Sequence, residues 1–313
     1  MRTFLVTGGA GFIGSHIATA LVERGDRVRI FDNLSTGRRA NFSHIAGEIE
    51  FIEGDLTDPD ALAKAVAGVD CIFHEAALAS VPRSIERPLD TNAACVTGTL
   101  NVLNEAQKAN VRRVVYAASS SAYGDQPTSS KRETDLPRPI SPYGAAKLAG
   151  ELYCQAATAS SNLETVCLRY FNVFGPRQDP KSEYSAVIPR FITSMLSGKQ
   201  PTIYGDGHQS RDFTYVANVV HGNLLAADAK EVAGRVFNLA NGRTTSLLEL
   251  LEALRRHLKL DIHPVHEAAR VGDVRESLAD ISQARARLNY EPQIDLDEGL
   301  RRSIDYYRQI AEL

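Results

Sequence analysis

The feature that most constrains the fold is a run of glycines, Thr7-Gly8-Gly9-Ala10-Gly11-Phe12-Ile13-Gly14, directly after a short apolar segment at Thr3–Thr7. Gly9, Gly11 and Gly14 have the spacing G-x-G-x-x-G. Glycines at this spacing let a strand turn tightly into a helix and let the backbone approach a pyrophosphate without an intervening Cβ. The free N–H groups at the start of that helix would face the phosphates. The chain is therefore expected to begin as a dinucleotide-binding fold.

Short apolar segments alternate with helical patterns throughout residues 1–175. Predicted strands are Thr3–Thr7, Val28–Asp32, Glu50–Glu53, Cys71–Glu75, Arg113–Ala118 and Thr165–Phe171, and predicted helices are Gly11–Arg24, Asp58–Ala67, Leu89–Ala109 and Pro142–Ala159. The strands lack a clean polar–apolar alternation, which is typical of strands buried on both faces. Alternating strands and helices indicate a parallel sheet covered by helices. We therefore predict an α/β fold in which residues 1–175 form a Rossmann-type, doubly wound sheet.

The pattern becomes mixed after Gly175. Predicted helices are Val187–Ser197, Ala217–Ala229 and Ser246–Leu258, predicted strands are Asp212–Val216 and Val236–Ala240, and a glycine-rich loop covers residues 205–207. Thr245-Ser246 before Leu247 has the residue types of a helix N-cap. Residues 176–313 are expected to form a smaller, mixed α/β part that binds substrate and is interleaved with the first part.

An acidic residue closes the second predicted strand. Asp32 lies 18 residues after Gly14, where a carboxylate would accept hydrogen bonds from both hydroxyls of an adenosine ribose and repel a 2′-phosphate. The spacing therefore favours NAD over NADP. Arg38 and Arg39 leave the alternative open, because a basic pair could bind a 2′-phosphate, but Asp32 occupies the closer position.

Tyr143 and Lys147 form the pattern Y-x-x-x-K on a predicted helix. The spacing puts a phenol and an ammonium one helical turn apart on the same face. A tyrosine with a pKa of about 10 is a poor base at neutral pH, but a nearby lysine and the positive nicotinamide of NAD⁺ both favour the phenolate. Tyr143 would then take a proton from a sugar hydroxyl while hydride leaves the adjacent carbon. The pattern alone is common on solvated helix faces, whereas the glycine run and Ser119-Ser120-Ser121 favour catalysis.

The composition argues against several other classes of protein. The chain has 35 basic and 38 acidic residues, a formal net charge of −3, and a pI near 6.3, which argues against nucleic acid or an anionic membrane as the main partner. No segment reaches the ~18 apolar residues of a membrane span, and the short apolar start is not a signal sequence. Cys71, Cys95, Cys154 and Cys167 lack C-x-x-C spacing. We expect buried thiols, a cytoplasmic location and no metal site.

Seven motifs follow one another in the order TGGAGFIGSH, DNLSTG, HEAA, SSSAYGD, SPYGAAK, LRYFNVFGPRQ and SRDF. With them, residues 1 to about 280 resemble the extended short-chain dehydrogenase/reductase family, and within it the nucleotide-sugar 4-epimerases that act on UDP-glucose or UDP-N-acetylglucosamine. The resemblance implies that Ser119, Tyr143 and Lys147 are catalytic. It implies an NAD site formed by Gly8, Gly11, Phe12, Ile13, Gly14, Asp32, Asn33, Asp55, Leu56, Ala76, Ala77, Asn92, Tyr143, Lys147 and Tyr170. Asp55 taken alone would equally suit the turn before a helix.

The residues directly after Ser119 differ between relatives that catalyse different reactions. Related 4,6-dehydratases carry an Asp–Glu pair in the next two positions, and decarboxylating relatives also use an acid there, whereas this chain has Ser120 and Ser121. The resemblance then implies oxidation and re-reduction at one carbon, with a 4-keto sugar that turns while UDP stays anchored. The substrate-binding residues implied are Ser80, Arg83, Ser121, Asn172, Tyr204 or Phe213, Arg211, Arg270, Asp273 and Ser277. Arg211 and Arg270 would pair with the diphosphate, whose geometry suits guanidinium, and Asp273 would hold the uridine ribose.

Two features of the resemblance concern the sugar. Ser277 would flank the C2 substituent, and its small side chain would leave room for an N-acetyl group. The loop Ala79–Ser84 also resembles that of UDP-N-acetylglucosamine 4-epimerases. We therefore expect reversible C4 epimerisation of UDP-GlcNAc and UDP-GalNAc, together with UDP-Glc and UDP-Gal. A turn cap is the alternative role for Ser277, and UDP-glucuronate or another nucleotide sugar is the alternative substrate.

The resemblance also bears on assembly and on a competing class of function. The family commonly dimerises through the Y-x-x-x-K helix and the long helix before it, which implies a homodimer. The small residues Ala145, Ala146, Ala149, Ala156 and Ala157 would suit close packing on a partner helix or equally on the sheet.

The competing class of function is an inactive protein that senses NAD. Such a protein would have no need for a serine, a tyrosine and a lysine in this arrangement.

Overall fold

A computed structural model describes residues 1–126, 128, 130–180, 186–269 and 275–311. The strands are β1 (Thr3–Thr7), β2 (Arg27–Asp32), β3 (Ile49–Glu53), β4 (Cys71–His74), β5 (Arg113–Ser119), β6 (Ser130–Lys131), β7 (Glu164–Tyr170), β8 (Val173–Phe174), β9 (Thr202–Tyr204), β10 (Ser210–Arg211), β11 (Thr214–Tyr215), β12 (Arg235–Leu239), β13 (Thr245–Ser246), β14 (Val265–Glu267) and β15 (Glu276–Ala279). The helices are α1 (Phe12–Glu23), α2 (Pro59–Val66), α3 (Val81–Glu86), α4 (Pro88–Asn92), α5 (Gly98–Lys108), α6 (Pro142–Ser160), α7 (Val187–Leu196), α8 (Val216–Asp228), α9 (Leu247–Leu258), α10 (Ser282–Leu288) and α11 (Leu296–Ala311).

Seven parallel strands form the main sheet, in the order β12-β7-β5-β4-β1-β2-β3. The strand order reverses between β1 and β4, and ligands of such sheets bind at the carboxyl ends of the strands near that point. Alternate residues of β1 enter opposite cores: Phe4 and Val6 pack in one cluster and Leu5 packs in the other. This double burial explains the missing polar–apolar alternation, and the predicted α/β fold is confirmed.

The strands and helices predicted for residues 1–175 form within one or two residues of the expected bounds, with one interruption. The predicted helix Leu89–Ala109 consists of α4, a π-helical turn at Ala93–Thr97, and α5. The wider turn inserts a residue into the helix at the point where it packs on α6. Such turns have no periodicity of their own, so the sequence could not indicate this one.

The part of the chain beyond residue 175 contributes to both regions of the molecule. Strand β12 pairs with β7 at the edge of the main sheet, and α8 packs against α1 and that sheet. Helices α7, α9 and α11 surround a separate apolar cluster, which includes Ile192, Leu254 and Ile304. The division at residue 175 stays a prediction.

Small strands connect the second region to the first. A four-stranded mixed sheet has the order β13-β10-β15-β6, and its β6 lies before residue 175. The predicted strand Asp212–Val216 is wrong in extent, because β11 holds Thr214–Tyr215 alone and α8 begins at Val216. Asp212 is instead held by the loop after β12, since its carboxylate accepts the N–H groups of Asn241 and Gly242, both at 2.9 Å.

The N-cap predicted before Leu247 is confirmed, and the structure shows a second one before α6. Ser246 caps α9: its Oγ accepts the Glu249 N–H at 3.2 Å, and the Glu249 carboxylate accepts the Ser246 N–H at 2.8 Å. This reciprocal pair is a capping box. Pro142 opens α6 behind a Ser141 cap. None of the described helices is long and apolar enough to cross a membrane.

Candidate active site

The glycine loop, Thr7–Gly14, is packed so closely that Gly8 and Gly14 have no room for a side chain. Gly8 has φ +69°, and a Cβ there would lie 2.6 Å from the Ala76 backbone nitrogen. A Cβ on Gly14 would lie 2.3 Å from the Gly8 carbonyl oxygen. The loop therefore lies against the segment after β4, and α1 starts at Phe12 without a side-chain cap, so its first N–H groups are available to phosphate. This arrangement fits a dinucleotide pyrophosphate.

Asp32 is held beside the glycine loop. Its Oδ2 accepts the Ala10 N–H at 3.0 Å and its Oδ1 accepts the Leu34 N–H at 2.8 Å. Burial raises the pKa of Asp32, and these two backbone hydrogen bonds oppose the rise. A carboxylate has about four acceptor sites, so both oxygens can still accept the ribose hydroxyls of NAD.

The neighbouring basic pair is engaged elsewhere. The Arg38 guanidinium forms an ion pair with Asp179. Arg39 donates to Glu53 at 2.7 Å and stacks over the ring of Phe51, 4.4 Å from its centre. Both arginines therefore have acidic partners in this structure, and Asp32 stays the charged group hydrogen-bonded to the glycine loop.

The loops after β2 and β3 meet at the expected adenine edge. The Asn33 amide donates to Asp55 Oδ2 at 2.6 Å. A hydrogen bond from the Thr57 hydroxyl lowers the pKa of Asp55 most, and burial opposes it. The side chain that caps α2 is Asp58, and Asp55 forms the turn before it. Leu56 is buried beneath this turn.

Tyr143, Ser119 and Lys147 converge at the carboxyl edge of the sheet. Ser119 is the last residue of β5, and its neighbouring hydroxyl lowers the pKa of the Tyr143 phenol. Ser119 Oγ also accepts the Ser121 N–H at 3.1 Å. One turn along α6, Lys147 is buried with its Nζ 4.7 Å from the centre of the Tyr116 ring. The three residues predicted from the sequence as catalytic are therefore brought together.

The electrostatics of this group differ from the simple expectation. Burial raises the pKa of the Tyr143 phenol, and the neighbouring Ser119 hydroxyl lowers it only in part. Burial also lowers the pKa of Lys147. Burial therefore opposes the phenolate, and the positive nicotinamide of NAD⁺ would favour it.

A carboxylate missed by the sequence analysis lies in the same place. Glu75 directly precedes Ala76 and Ala77 after β4, and its Oε1 accepts the Tyr170 hydroxyl at 2.8 Å. Burial raises the pKa of Glu75 to about 7. The signal was available, because Glu75 follows a strand of a parallel sheet at the edge where ligands bind. Asn92, another predicted cofactor residue, is exposed at the end of α4.

The Ala79–Ser84 loop reaches Tyr143 through a helix that the sequence analysis did not predict. Ser80 caps α3 and accepts the Arg83 N–H at 3.2 Å. Ser84 Oγ accepts the Tyr143 N–H at 3.1 Å and donates to the Val81 carbonyl at 2.6 Å. Helix α3 is therefore tied to the first turn of α6, which brings Ser80 and Arg83 near the predicted catalytic tyrosine.

A cavity of about 250 Å³ adjoins the carboxyl edge and is called the substrate cavity here. Its wall includes Asn172, Tyr204, Arg211 and Phe213, which were predicted, and Arg190 and Gln209, which were not. The cavity begins directly after β7 and extends between α7 and the strands β9 and β10. Nothing in the local sequence marks Arg190, because it occupies one position of an amphipathic helix. The predicted residues Arg270 and Asp273 lie outside the described part of the chain.

Ser277 lies in a strand and does not cap a turn. It pairs with Arg211 across β15 and β10, and its carbonyl accepts the Asp212 N–H at 2.8 Å. This pairing brings the residue predicted to face the sugar beside a residue of the substrate cavity. The alternative role as a turn cap is therefore wrong.

Comparisons with known proteins agree on one family. The model of the NAD dependent epimerase/dehydratase family matches residues 4–240. A UDP-glucose 4-epimerase of Mycolicibacterium smegmatis is 36% identical over 317 residues, covering 100% of both chains. The structure of UDP-N-acetylglucosamine 4-epimerase from Methanobrevibacter ruminantium, in complex with UDP-N-acetylmuramic acid, has a TM-score of 0.95 and 40% identity, covering 100% of this chain and 99% of that one. UDP-glucuronic acid 4-epimerase from Bacillus cereus, with UDP-glucuronic acid and NAD, has a TM-score of 0.91 and 31% identity, covering 98% and 99%.

Proposed function

This chain belongs to the NAD-dependent epimerase/dehydratase family, and from that membership we propose that it reversibly inverts C4 of UDP-hexoses with tightly bound NAD. The substrates are UDP-GlcNAc and UDP-GalNAc, together with UDP-Glc and UDP-Gal. The observation that carries the proposal is the grouping of Ser119, whose hydroxyl acts on the Tyr143 phenol, with Tyr143 and with Lys147 one helical turn along α6. Ser119 pairs with Tyr170 in the next strand, and Asn172, two residues beyond Tyr170, lines the substrate cavity.

Each member of the group has a distinct task. Tyr143 takes the proton of the C4 hydroxyl, Ser119 hydrogen-bonds to the same oxygen, and the Lys147 ammonium lowers the cost of the phenolate. NAD, held by the glycine loop and Asp32, would supply the acceptor and the donor for the C4 hydride, with no net change in redox state. Tyr143 then gives its proton back to the oxygen of the inverted alcohol.

The sequence between Ser119 and Tyr123 supports a reaction confined to C4. Ser120 and Ser121 stand where a dehydratase would carry acids, so this segment has no group to remove water from neighbouring carbons. Inversion requires the 4-keto sugar to turn while the rest of the substrate stays bound. We assign that anchoring to UDP.

The substrate cavity has the lining that a UDP anchor needs. Tyr204 and Phe213 offer flat apolar surfaces to the uridine, and Arg211 offers a guanidinium to the diphosphate. Arg190 adds a second guanidinium in the same wall. Arg270 and Asp273, outside the described residues, stay predicted partners of the diphosphate and the ribose.

The proposed acceptance of acetylated sugars rests on Ser277. A serine beside Arg211 occupies less space than a tyrosine would, which leaves room for a C2 N-acetyl group. The Bacillus cereus relative acts on UDP-glucuronic acid, so the uronate is the second candidate substrate.

The decisive assay incubates purified protein, without added cofactor, with UDP-GlcNAc, UDP-Glc or UDP-glucuronate, and separates the products by chromatography. We expect the C4 epimers of the first two. A product from UDP-glucuronate alone would transfer the proposal to the uronate, and absence of any C4 epimer after NAD is added would refute it.

The sugar assignment has its own variant. Ser277→Tyr should abolish turnover of UDP-GlcNAc and spare UDP-Gal, because the larger side chain fills the space for the acetyl group. Ser282→Tyr, at an exposed position at the start of α10, is the matched control and should change neither. Equal loss of both activities in Ser277→Tyr would refute the assignment.

We also propose a cytoplasmic homodimer. Leu100 on α5 and Leu152 and Tyr153 on α6 are 43%, 55% and 42% exposed, which supports burial of this face against a second copy. Of the small residues on α6, Ala146 and Ala157 are buried, whereas Ala145 and Ala156 are exposed. Four buried thiols suit a reducing compartment.

The dimer can be tested by light scattering. The measured mass should be twice that of one chain, and Leu152→Glu should reduce it to the mass of one chain.

A further inference from the structure

Glu75 is the carboxyl group nearest to the proposed reaction that the mechanism above does not use. Its backbone N–H donates to the Thr7 carbonyl at 3.1 Å, which fixes it beside the glycine loop. Its side chain reaches across the end of the sheet to the hydroxyl of Tyr170 on β7. Tyr170 pairs with Ser119 in the adjacent strand, so Glu75 is joined to the neighbourhood of the catalytic serine.

The hydrogen bonds around Glu75 suit two charge states. As a carboxylate, Glu75 accepts the Tyr170 hydroxyl at 2.8 Å, and Tyr170 accepts the Asn223 amide N–H, also at 2.8 Å. If Glu75 carries a proton, it donates to the Tyr170 oxygen, and the Tyr170 hydroxyl turns to Asn223 Oδ1 at 3.0 Å. In each state the Tyr170 hydroxyl has an acceptor and the Tyr170 oxygen has a donor. Glu75 can therefore gain or lose a proton while Tyr170 stays hydrogen-bonded.

The charge of Glu75 acts on the predicted catalytic pair. From α6, Lys147 favours the Glu75 carboxylate, and that carboxylate in turn raises the pKa of both Tyr143 and Lys147. From β7, the titratable neighbour is Tyr170, whose hydroxyl is in contact. His74 precedes Glu75 on β4 and is buried with a lowered pKa of about 3, so it is neutral, and α8 presents the neutral amide of Asn223.

We propose that Glu75 is a positioning residue of the active site, whose charge, transmitted to Tyr143 and Lys147, sets how readily Tyr143 gives up its proton. The inference rests on the proposed function, because it takes Tyr143 as the base. A negative charge near a phenol opposes formation of the phenolate. Glu75 thus acts against premature loss of the Tyr143 proton, and its effect is removed when it carries a proton itself.

The test is Glu75→Gln in the NAD-loaded protein, since glutamine keeps an oxygen for the Tyr170 hydroxyl and removes the charge. The acid limb of the kcat/KM–pH profile reports ionisation of the base in the free enzyme. We expect this limb to move to lower pH by about one unit. Glu48→Gln, at an exposed position in the turn before β3, is the matched control and should leave the profile in place.

A second measurement does not depend on turnover. Tyrosinate absorbs near 295 nm. The difference in this absorbance between each protein and the same protein carrying Tyr143→Phe isolates the ionisation of Tyr143. Glu75→Gln should shift this ionisation to lower pH in the same direction as the kinetic limb. Tyr170→Phe at saturating NAD should give a smaller shift in that direction, because it removes the hydroxyl that favours the Glu75 carboxylate.

The outcomes separate the two proposals. An unchanged profile and an unchanged titration in Glu75→Gln would overturn the role of Glu75, as would a loss of rate that is uniform at all pH values. If Glu75→Gln does not fold, Tyr170→Phe decides, and the absence of a shift in it overturns the role. If the wild-type protein turns over no UDP-hexose, the proposed function fails, while the absorbance titration still tests Glu75.

Discussion

The glycine loop and the substrate cavity are built in opposite ways. The loop is a contiguous run, Thr7–Gly14, and its partner Asp32 ends the next strand. The cavity takes Asn172, Arg190 and Arg211 from separate elements along the chain. Backbone sterics within a short segment can specify the first site, but the second exists only after distant elements have packed.

The supporting structures differ in the same sense. The loop extends from long parallel strands that are buried on both faces. The cavity is bounded by strands of two or three residues, such as β9 and β10, and by helix α7. Substitutions in the loop should therefore act through the backbone, whereas substitutions in the cavity should act through single side chains. Substitutions in each region test that difference.

The largest effect should come from Tyr143→Phe, at the place where the two regions meet. Removal of a general acid–base group costs about 10²–10⁴-fold in rate, so kcat should fall by that factor. NAD should still bind, because the glycine loop and Asp32 are unchanged, and UDP should still bind, because Tyr143 is not part of the described wall of the substrate cavity. Tyr306→Phe, at a half-buried position on α11, is the control. Wild-type kcat in Tyr143→Phe would contradict the mechanism.

Gly14→Ala should weaken NAD binding by about ten- to a hundredfold, since overpacking costs about 1–3 kcal/mol. The added Cβ would meet the Gly8 carbonyl at 2.3 Å, and the backbone must move. Gly47→Ala is the control, because a Cβ there meets no atom within 4 Å. Calorimetric titration with NAD and with UDP measures both sites. A parallel loss of UDP affinity would break the distinction between the two regions.

Arg190→Ala should reduce UDP affinity by about tenfold, which corresponds to the ~1.5 kcal/mol of a hydrogen bond to a charged group. NAD affinity should stay unchanged, because Arg190 lies in the wall of the substrate cavity and outside the glycine loop. Arg287→Ala, at an exposed position on α10, provides the comparison. Unaltered UDP binding in Arg190→Ala would remove this residue from the proposed anchor.

Ser246→Ala should have the smallest effect. It removes the capping box of α9, which is worth about 1 kcal/mol, and should lower the free energy of unfolding measured in urea by that amount. Ser282→Ala is the control, because Ile281 occupies the N-cap position of α10. A stability equal to wild type in Ser246→Ala would mean that α9 is held by packing alone.

The predictability of the site follows the same division. Gly14, Asp32 and Tyr143 could be identified because each belongs to a pattern with a fixed spacing and a direct physical reason. Glu75 could not be given a role, since its function depends on the hydroxyl of Tyr170, which lies 95 positions away in the sequence. The same holds for Arg190, whose membership of the cavity wall depends on how α7 packs.

The amino-acid sequence by itself determined the parallel sheet, the dinucleotide loop and the identity of the candidate acid–base group. These depend on interactions between near neighbours: glycine conformation, helix periodicity and the position of a residue at the end of a strand. The tertiary structure alone decided that Arg38 and Arg39 pair with Asp179 and Glu53, that Ser277 lies in a strand beside Arg211, and that Glu75 faces Tyr170. Charges and hydrogen bonds act through space, so their partners are chosen by the packing of elements that the chain order keeps far apart.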